Sequence, residues 1–167
     1  MAIPPQLACK LSVHAAAVQD FCNLAPGIPM TNQMLDDILQ TMEIQRFWQV
    51  TSDMSPPVNG IVRIDVYFQI QEEKIGKAVK KIIRAAVGCF GGTSSPGTAH
   101  GERDFEKRFE FDRRGLKQAI CFAQETAQNI KRRGICETCL KRERPAKRLR
   151  VGDTGLCTQC LLHKALF

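Results

Sequence analysis

Two cysteine pairs, Cys136-Glu-Thr-Cys139 and Cys157-Thr-Gln-Cys160, constrain this chain more than any other feature. Together they read C-x2-C-x17-C-x2-C. Two thiolates separated by two residues reach one ion from a single tight turn. A second such turn completes a tetrahedron and leaves no coordination position open, which suits a structural ion rather than a catalytic one. The spacer between the pairs falls in the range of about 15–20 residues usual for such sites. Cys136, Cys139, Cys157 and Cys160 are therefore expected to hold one structural Zn2+, in a zinc-finger-like module. A dithiol redox site needs one C-x2-C at a helix start beside a βαβ unit, not two matched pairs. His163 follows Cys160 by three residues and is expected to be solvated, because four thiolates already satisfy the metal.

Charge falls on the same segment. Residues 131–167 carry ten Lys/Arg against three Asp/Glu, whereas residues 1–130 carry fourteen of each. The whole net charge of +7 thus lies with the cysteine pairs. Lys131, Arg132 and Arg133 precede the first pair, and Lys141, Arg142, Arg144, Lys147, Arg148 and Arg150 fill residues 140–150 of the spacer against Glu143 alone. Pinning that spacer between two metal-bound turns concentrates nine cations on a small surface. Each cation near a phosphate releases a counterion, so binding to RNA or DNA is expected to weaken steeply with salt. Arginine predominates, which favours bidentate phosphate contact. The only aromatic residue in 131–167 is Phe167, so this segment is expected to grip the backbone without stacking bases. The same run also suits an acidic protein partner or an import receptor, and Pro145-Ala-Lys-Arg-Leu-Arg150 reads as a nuclear import signal. A solvated basic surface is the third reading.

Residues 1–130 read as an α+β domain, with 131–167 as the basic four-cysteine module. Leu7, Cys9, Leu11 and Val13 alternate as in a strand, although 6–14 also fits a helix. Thr31 caps a helix with Met34, Leu35, Ile38, Leu39 and Met42 on one face. Residues 46–53 are rich in strand formers, Asn59-Gly60 is the strongest turn pair, and Val62, Ile64, Val66, Phe68 and Ile70 define a strand face. A hairpin of 46–53 with 61–70 follows. Residues 72–87 fit a helix with Ile75, Val79, Ile82, Ile83 and Ala86 as its stripe and Lys74, Lys77, Lys80, Lys81 and Arg84 off it. Gly88 to Gly97 reads as a flexible loop, 103–112 as a strand and 116–130 as a helix. If 6–14 is a strand, the order is βαββαβ, a ferredoxin-like two-layer sandwich with an extra C-terminal helix and the zinc module. Either way, helices are expected to cover one face of a mostly antiparallel sheet. Arg63, Tyr67, Arg103 and Arg108 then project from the other face. The familiar RNA-recognition strand pattern is absent.

No run approaches the apolar length of a membrane span of about 18 residues, and residues 1–22 lack the basic start and apolar block of a signal peptide. The chain is expected to be intracellular, nuclear or cytoplasmic, and able to form oligomers. Its eight cysteines are then not a disulfide framework. Cys9, Cys22 and Cys121 read as small buried hydrophobes. Cys89 and His100 are the one conceivable nucleophile pair, but no orienting group or oxyanion site accompanies them. The protein is expected not to be an enzyme.

Overall fold

The computed structural model describes residues 30–91, 97–99, 105–141 and 149–167. Helix α1, Asn32–Gln45, leads into strands β1, Phe47–Val58, β2, Ile61–Ile75, and β3, Ala78–Gly91. Short β4, Gly97–Ala99, and β5, Glu106–Glu110, precede the long helix α2, Arg113–Arg133. Two short helices follow, α3, Glu137–Lys141, and α4, Thr158–Leu166. All pairings are antiparallel, and the sheet is four strands across in the order β1-β2-β3, with β4 and β5 sharing the far edge of β3.

α1 starts where expected, with the Thr31 hydroxyl accepting from the Met34 amide at 3.2 Å. Met34, Leu35, Ile38 and Met42 are buried as read from spacing. Asp37 is buried too and accepts from Gln33 at 2.9 Å. The hairpin β1–β2 turns at Asn59-Gly60, both at positive φ (48° and 82°), as a two-residue hairpin loop prefers. A bulge between Ile61 and Arg63 changes which residue enters the core: Ile61 is fully buried, and Val62 is not.

The helix read over 72–87 is not there. These residues finish β2, turn at Gly76 and begin β3. The reason is burial. Ile83, Ala85, Val87 and Cys89 alternate into the core with period two, whereas Ile75 and Val79 of the supposed helical stripe are more than half exposed. The helical pattern ended at Ala86, but the strand pattern continues through Cys89 and Gly91. Gly88 to Gly91, expected in a loop, pair with β2 instead, and Gly97 pairs in β4; residues 92–96 of that expected loop lie outside the described residues. Without that helix, the described elements run α-β-β-β-β-β-α rather than βαββαβ, and the ferredoxin-like order is not the observed one. Residues 6–14 lie outside the described residues.

The layered arrangement holds. α1 and α2 pack on the sheet face formed by Trp48, Val50, Ile64, Val66, Phe68, Ile83 and Val87, and these join Leu116, Ile120, Ala123, Ala127 and Ile130 of α2 in one core. Trp48 stacks on Phe68 with ring centroids 5.5 Å apart. Arg113 clamps Asp36 with two hydrogen bonds of 2.7 and 2.6 Å, tying the start of α2 to α1. Gly115 is required in the first turn of α2. A Cβ there would meet the Glu110 carbonyl carbon at 2.7 Å and its oxygen closer still. No described helix is long and apolar enough to cross a membrane.

Candidate metal centre

The two cysteine pairs adopt matching local structures. Cys136 immediately precedes α3, with Cys139 three residues on inside it. Cys157 is the N-cap of α4, with Cys160 in its first turn. Each pair therefore sits where backbone N–H groups lack intrahelical partners and the helix dipole favours negative charge. The Cys157 side chain makes no capping hydrogen bond of its own, so the helix start positions its sulfur by backbone geometry rather than by the role serine or aspartate fills elsewhere.

The fold brings all four sulfurs within 4.8 Å of one another, and all four residues are buried. Cys139 lies 3.9 Å from both Cys157 and Cys160, sulfur to sulfur. These separations are far beyond a disulfide, which needs about 2.05 Å. They match the edge of a tetrahedron around one ion, about 3.8 Å for metal–sulfur bonds of about 2.3 Å. The donor set and its spacing thus fit a single tetrahedral metal ion. Burial opposes ionisation of Cys136, but amides of Cys139 and Cys157 and the neighbouring thiols outweigh it and bring that thiol down to about 7. Burial and the same neighbours push Cys160 up to about 12. One sulfur is thus disposed to hold the negative charge and another the proton. His163 stands apart from the four sulfurs, its ring 5.0 Å from that of Phe167.

The cluster is fastened to the sheet body rather than strung from it. α2 runs past residue 130 to Arg133, so Lys131, Arg132 and Arg133 form its last turn, where cations suit the dipole. Gly134 then turns the chain at φ 76°, and Ile135 pairs with Leu149 in an isolated bridge. Ile135 and Leu149 are both part of the main core. Asn59, at the tip of the β1–β2 turn, donates to the Lys131 carbonyl at 3.0 Å and accepts from the Ile135 amide at 3.0 Å. The Arg150 guanidinium donates to the Ile135 carbonyl at 2.9 Å and lies 3.8 Å from Glu137. Arg133 donates to the Arg150 carbonyl at 3.0 Å. Pattern reading did not reach this second role of Asn59, because partners more than 70 residues away leave no local mark.

The nine cations read from sequence therefore divide. Arg133 and Arg150 brace the segments that carry the two cysteine pairs. Arg132 and Lys141 are exposed, and Lys131 is half-buried. Arg142, Arg144, Lys147 and Arg148 lie outside the described residues, between Lys141 at the end of α3 and the pinned Leu149.

The other candidates resolve differently. Arg63 and Tyr67 do lie on the sheet face away from the helices, but both engage the buried Asp65. Arg63 approaches it at 3.3 Å, and the Tyr67 hydroxyl donates to it at 3.1 Å. Arg63 also lies 4.0 Å over the Phe90 ring. Lys80, Lys81 and Arg84 of the supposed helix, and Arg108, pair with Glu110, Glu43, Glu106 and Glu73. Cys89 is fully buried, and burial raises its thiol to about 12. Its suggested partner His100 lies outside the described residues, as do Arg103, Cys9 and Cys22. Cys121, read as buried, is exposed on α2.

No protein-family model matches the chain, and no curated protein or solved structure matches it either. The functional reading rests on the site itself.

Proposed function

We infer that this is a non-enzymatic nucleic-acid-binding protein in which one structural Zn2+, held by Cys136, Cys139, Cys157 and Cys160, fixes a basic surface for the phosphate backbone. The observation that carries the reading is the coincidence of the four-sulfur cluster with the cationic stretch. Both ends of the 142–148 segment, rich in Arg and Lys, are held, one by α3 and the other by the Ile135–Leu149 bridge. A segment with fixed ends loses less conformational entropy when it settles on a ligand. Arg132 and Lys141 add exposed charge beside it. The closed thiolate set supports a structural ion, since four sulfurs leave no position for substrate or water. The inert setting of Cys89 supports the non-enzymatic reading.

The metal half of the proposal is tested by elemental analysis: one zinc per chain, lost when Cys136 and Cys139 are both changed to Ser. Zinc persisting in that double variant would place the ion elsewhere. The binding half is tested with a variant carrying Arg142→Gln, Arg144→Gln, Lys147→Gln and Arg148→Gln. Arg150 is left in place because it braces Ile135. The intact protein should bind polynucleotides with strong salt dependence. The variant should bind more weakly, its log–log salt slope flatter by about 3 if each side chain meets one phosphate. No binding by the intact protein even at low salt overturns this half.

One feature favours a second reading, a protein-docking adaptor addressed to the nucleus by its basic run. Leu162, Leu166 and Phe167 of the α4 end are 60, 76 and 96% exposed, a patch that suits contact with another protein.

A further inference from the structure

A cleft of about 850 Å3 lies between the N-terminal half of α2 and strands β3 and β5. Its apolar lining is Ile82, Phe109 and Phe122. The two phenyl rings sit 5.9 Å apart at 51° to each other, both half-buried. The wall is strongly cationic. Lys80 and Arg108 are neutralised by Glu110 and Glu73. Lys107, Arg114 and Lys117 are exposed and make no ion pair among the described residues, and the Lys107 ammonium lies 5.7 Å over the Phe109 ring. Glu125 stands at one end of this cleft and also lines a second hollow of about 440 Å3 with Gln128, Asn129 and Arg132. Arg114, Lys117, Cys121, Glu125, Asn129 and Arg132 recur at three- and four-residue spacing, so the two hollows follow one stripe of α2. At about 1.5 Å per residue the stripe is about 27 Å long. It ends at the helix turn that carries Lys131, Arg132 and Arg133.

We propose that this groove is a binding track for single-stranded nucleic acid, leading from Lys107, Arg114 and Lys117 to the basic module. The proposal rests on the nucleic-acid reading above and deepens it by naming the strand state. Phosphates meet these three cations, none of them in an ion pair among the described residues, at one end and Arg132 at the other. Between them the Phe109 and Phe122 rings offer faces for unstacked bases, which a duplex keeps hidden. Gln118 and Gln128 reach base edges with amide donors and acceptors, and Asn129, whose Oδ1 accepts from Arg132 at 2.9 Å, adds its amide donors. Glu125 accepts from the exocyclic amino group of cytosine or adenine. An acidic peptide would also match the three cations, but it would set its carboxylates against Glu125 and leave the aromatic floor without flat partners. The aromatics that the tail lacks are thus supplied by β5 and α2.

The test uses the full zinc-loaded chain, a fluorescent single strand of about twelve nucleotides and the duplex of the same sequence. It compares the intact protein with a variant carrying Lys107→Gln, Arg114→Gln and Lys117→Gln, all exposed positions. The variant should bind the single strand at least tenfold more weakly, with a salt slope reduced by about 2, and bind the duplex unchanged. In the intact protein, saturating oligonucleotide should slow alkylation of Cys121, read by peptide mass. Tight single-strand binding that the variant retains, with Cys121 unprotected, overturns the track and leaves the basic module as the contact surface. Absence of any polynucleotide binding overturns both readings. If polyglutamate protects Cys121 and loses affinity in the variant while the oligonucleotide does neither, the groove docks acidic proteins and the proposal fails.

Discussion

At the level of single residues, the junction between α2 and the first cysteine pair depends on Gly134. Its φ of 76° with ψ near 175° is a backbone region open to little besides glycine. A Cβ there would also meet the Asn59 carbonyl oxygen at 2.7 Å. Gly134→Ala should therefore cost more than about 2 kcal/mol, combining backbone strain with a contact that the turn cannot relieve cheaply. Denaturant melts check this, and a loss below about 0.5 kcal/mol would mean the junction is slack. Thiol chemistry gives a second residue-scale test. Burial holds the Cys89 thiol up at about 12, so at pH 8 it stays protonated and enclosed, whereas Cys121 is exposed. Folded, metal-loaded protein should alkylate at Cys121 and not at Cys89. The sign for stability follows: a raised pKa leaves stability unchanged below the unfolded value of about 9 and removes it as pH climbs toward 12. The four clustered cysteines were legible in sequence because C-x2-C spacing is a local constraint. The bracing roles of Asn59, Arg133 and Arg150 were not, because each bonds backbone that only the fold brings near.

At the scale of elements, two helices and one hairpin followed from the sequence, and one helix did not. α1 and α2 carry caps and apolar stripes that admit no other period, and Asn59-Gly60 fixes the first turn. Residues 72–87 satisfied both periods, since Ile82 and Ile83 adjoin and serve either. Tertiary pairing decided: β2 offers β3 a register from Ile61 to Ile75, and a free helix has nothing comparable to bury against. This gives a sharp test. Val79 and Ile83 share a helical stripe at four-residue spacing, but in the strand Val79 is 57% exposed and Ile83 is fully buried. Ile83→Ala should cost about 2–5 kcal/mol, whereas Val79→Ala should stay within about 0.5 kcal/mol. Comparable losses at the two positions would restore the helix.

For the molecule as a whole, the question is whether the metal site is an appendage or part of one cooperative unit. Charge and composition divided the sequence near residue 130, yet α2 passes that point without a break, and Ile135 and Leu149 enter the same core as Phe68 and Ile120. Cys136 directly follows Ile135, so an ion that fixes Cys136 also fixes a core residue. An ion bound only by the folded state stabilises it by about 2.7–4 kcal/mol when present at 100 to 1,000 times its dissociation constant. At about 2–4 °C per kcal/mol for a chain of this size, chelation should lower the melting temperature of the entire body by about 5–15 °C. The helix and sheet signals should move together in a single transition. Acid should act in the same direction. An ion needs all four sulfurs as thiolates, whereas the free cluster holds Cys160 protonated up to about 12 and Cys136 up to about 7. Metal uptake at pH 7.5 must therefore release protons, and affinity must fall as pH drops. A shift of melting temperature on chelation that vanishes when the same comparison is made at pH 5 would tie the coupling to the thiolates. A chelated protein whose sheet melts where it did before, with only the signal from α3 and α4 lost, would show that Ile135 and Leu149 stay seated without the ion and that the module is an independent unit.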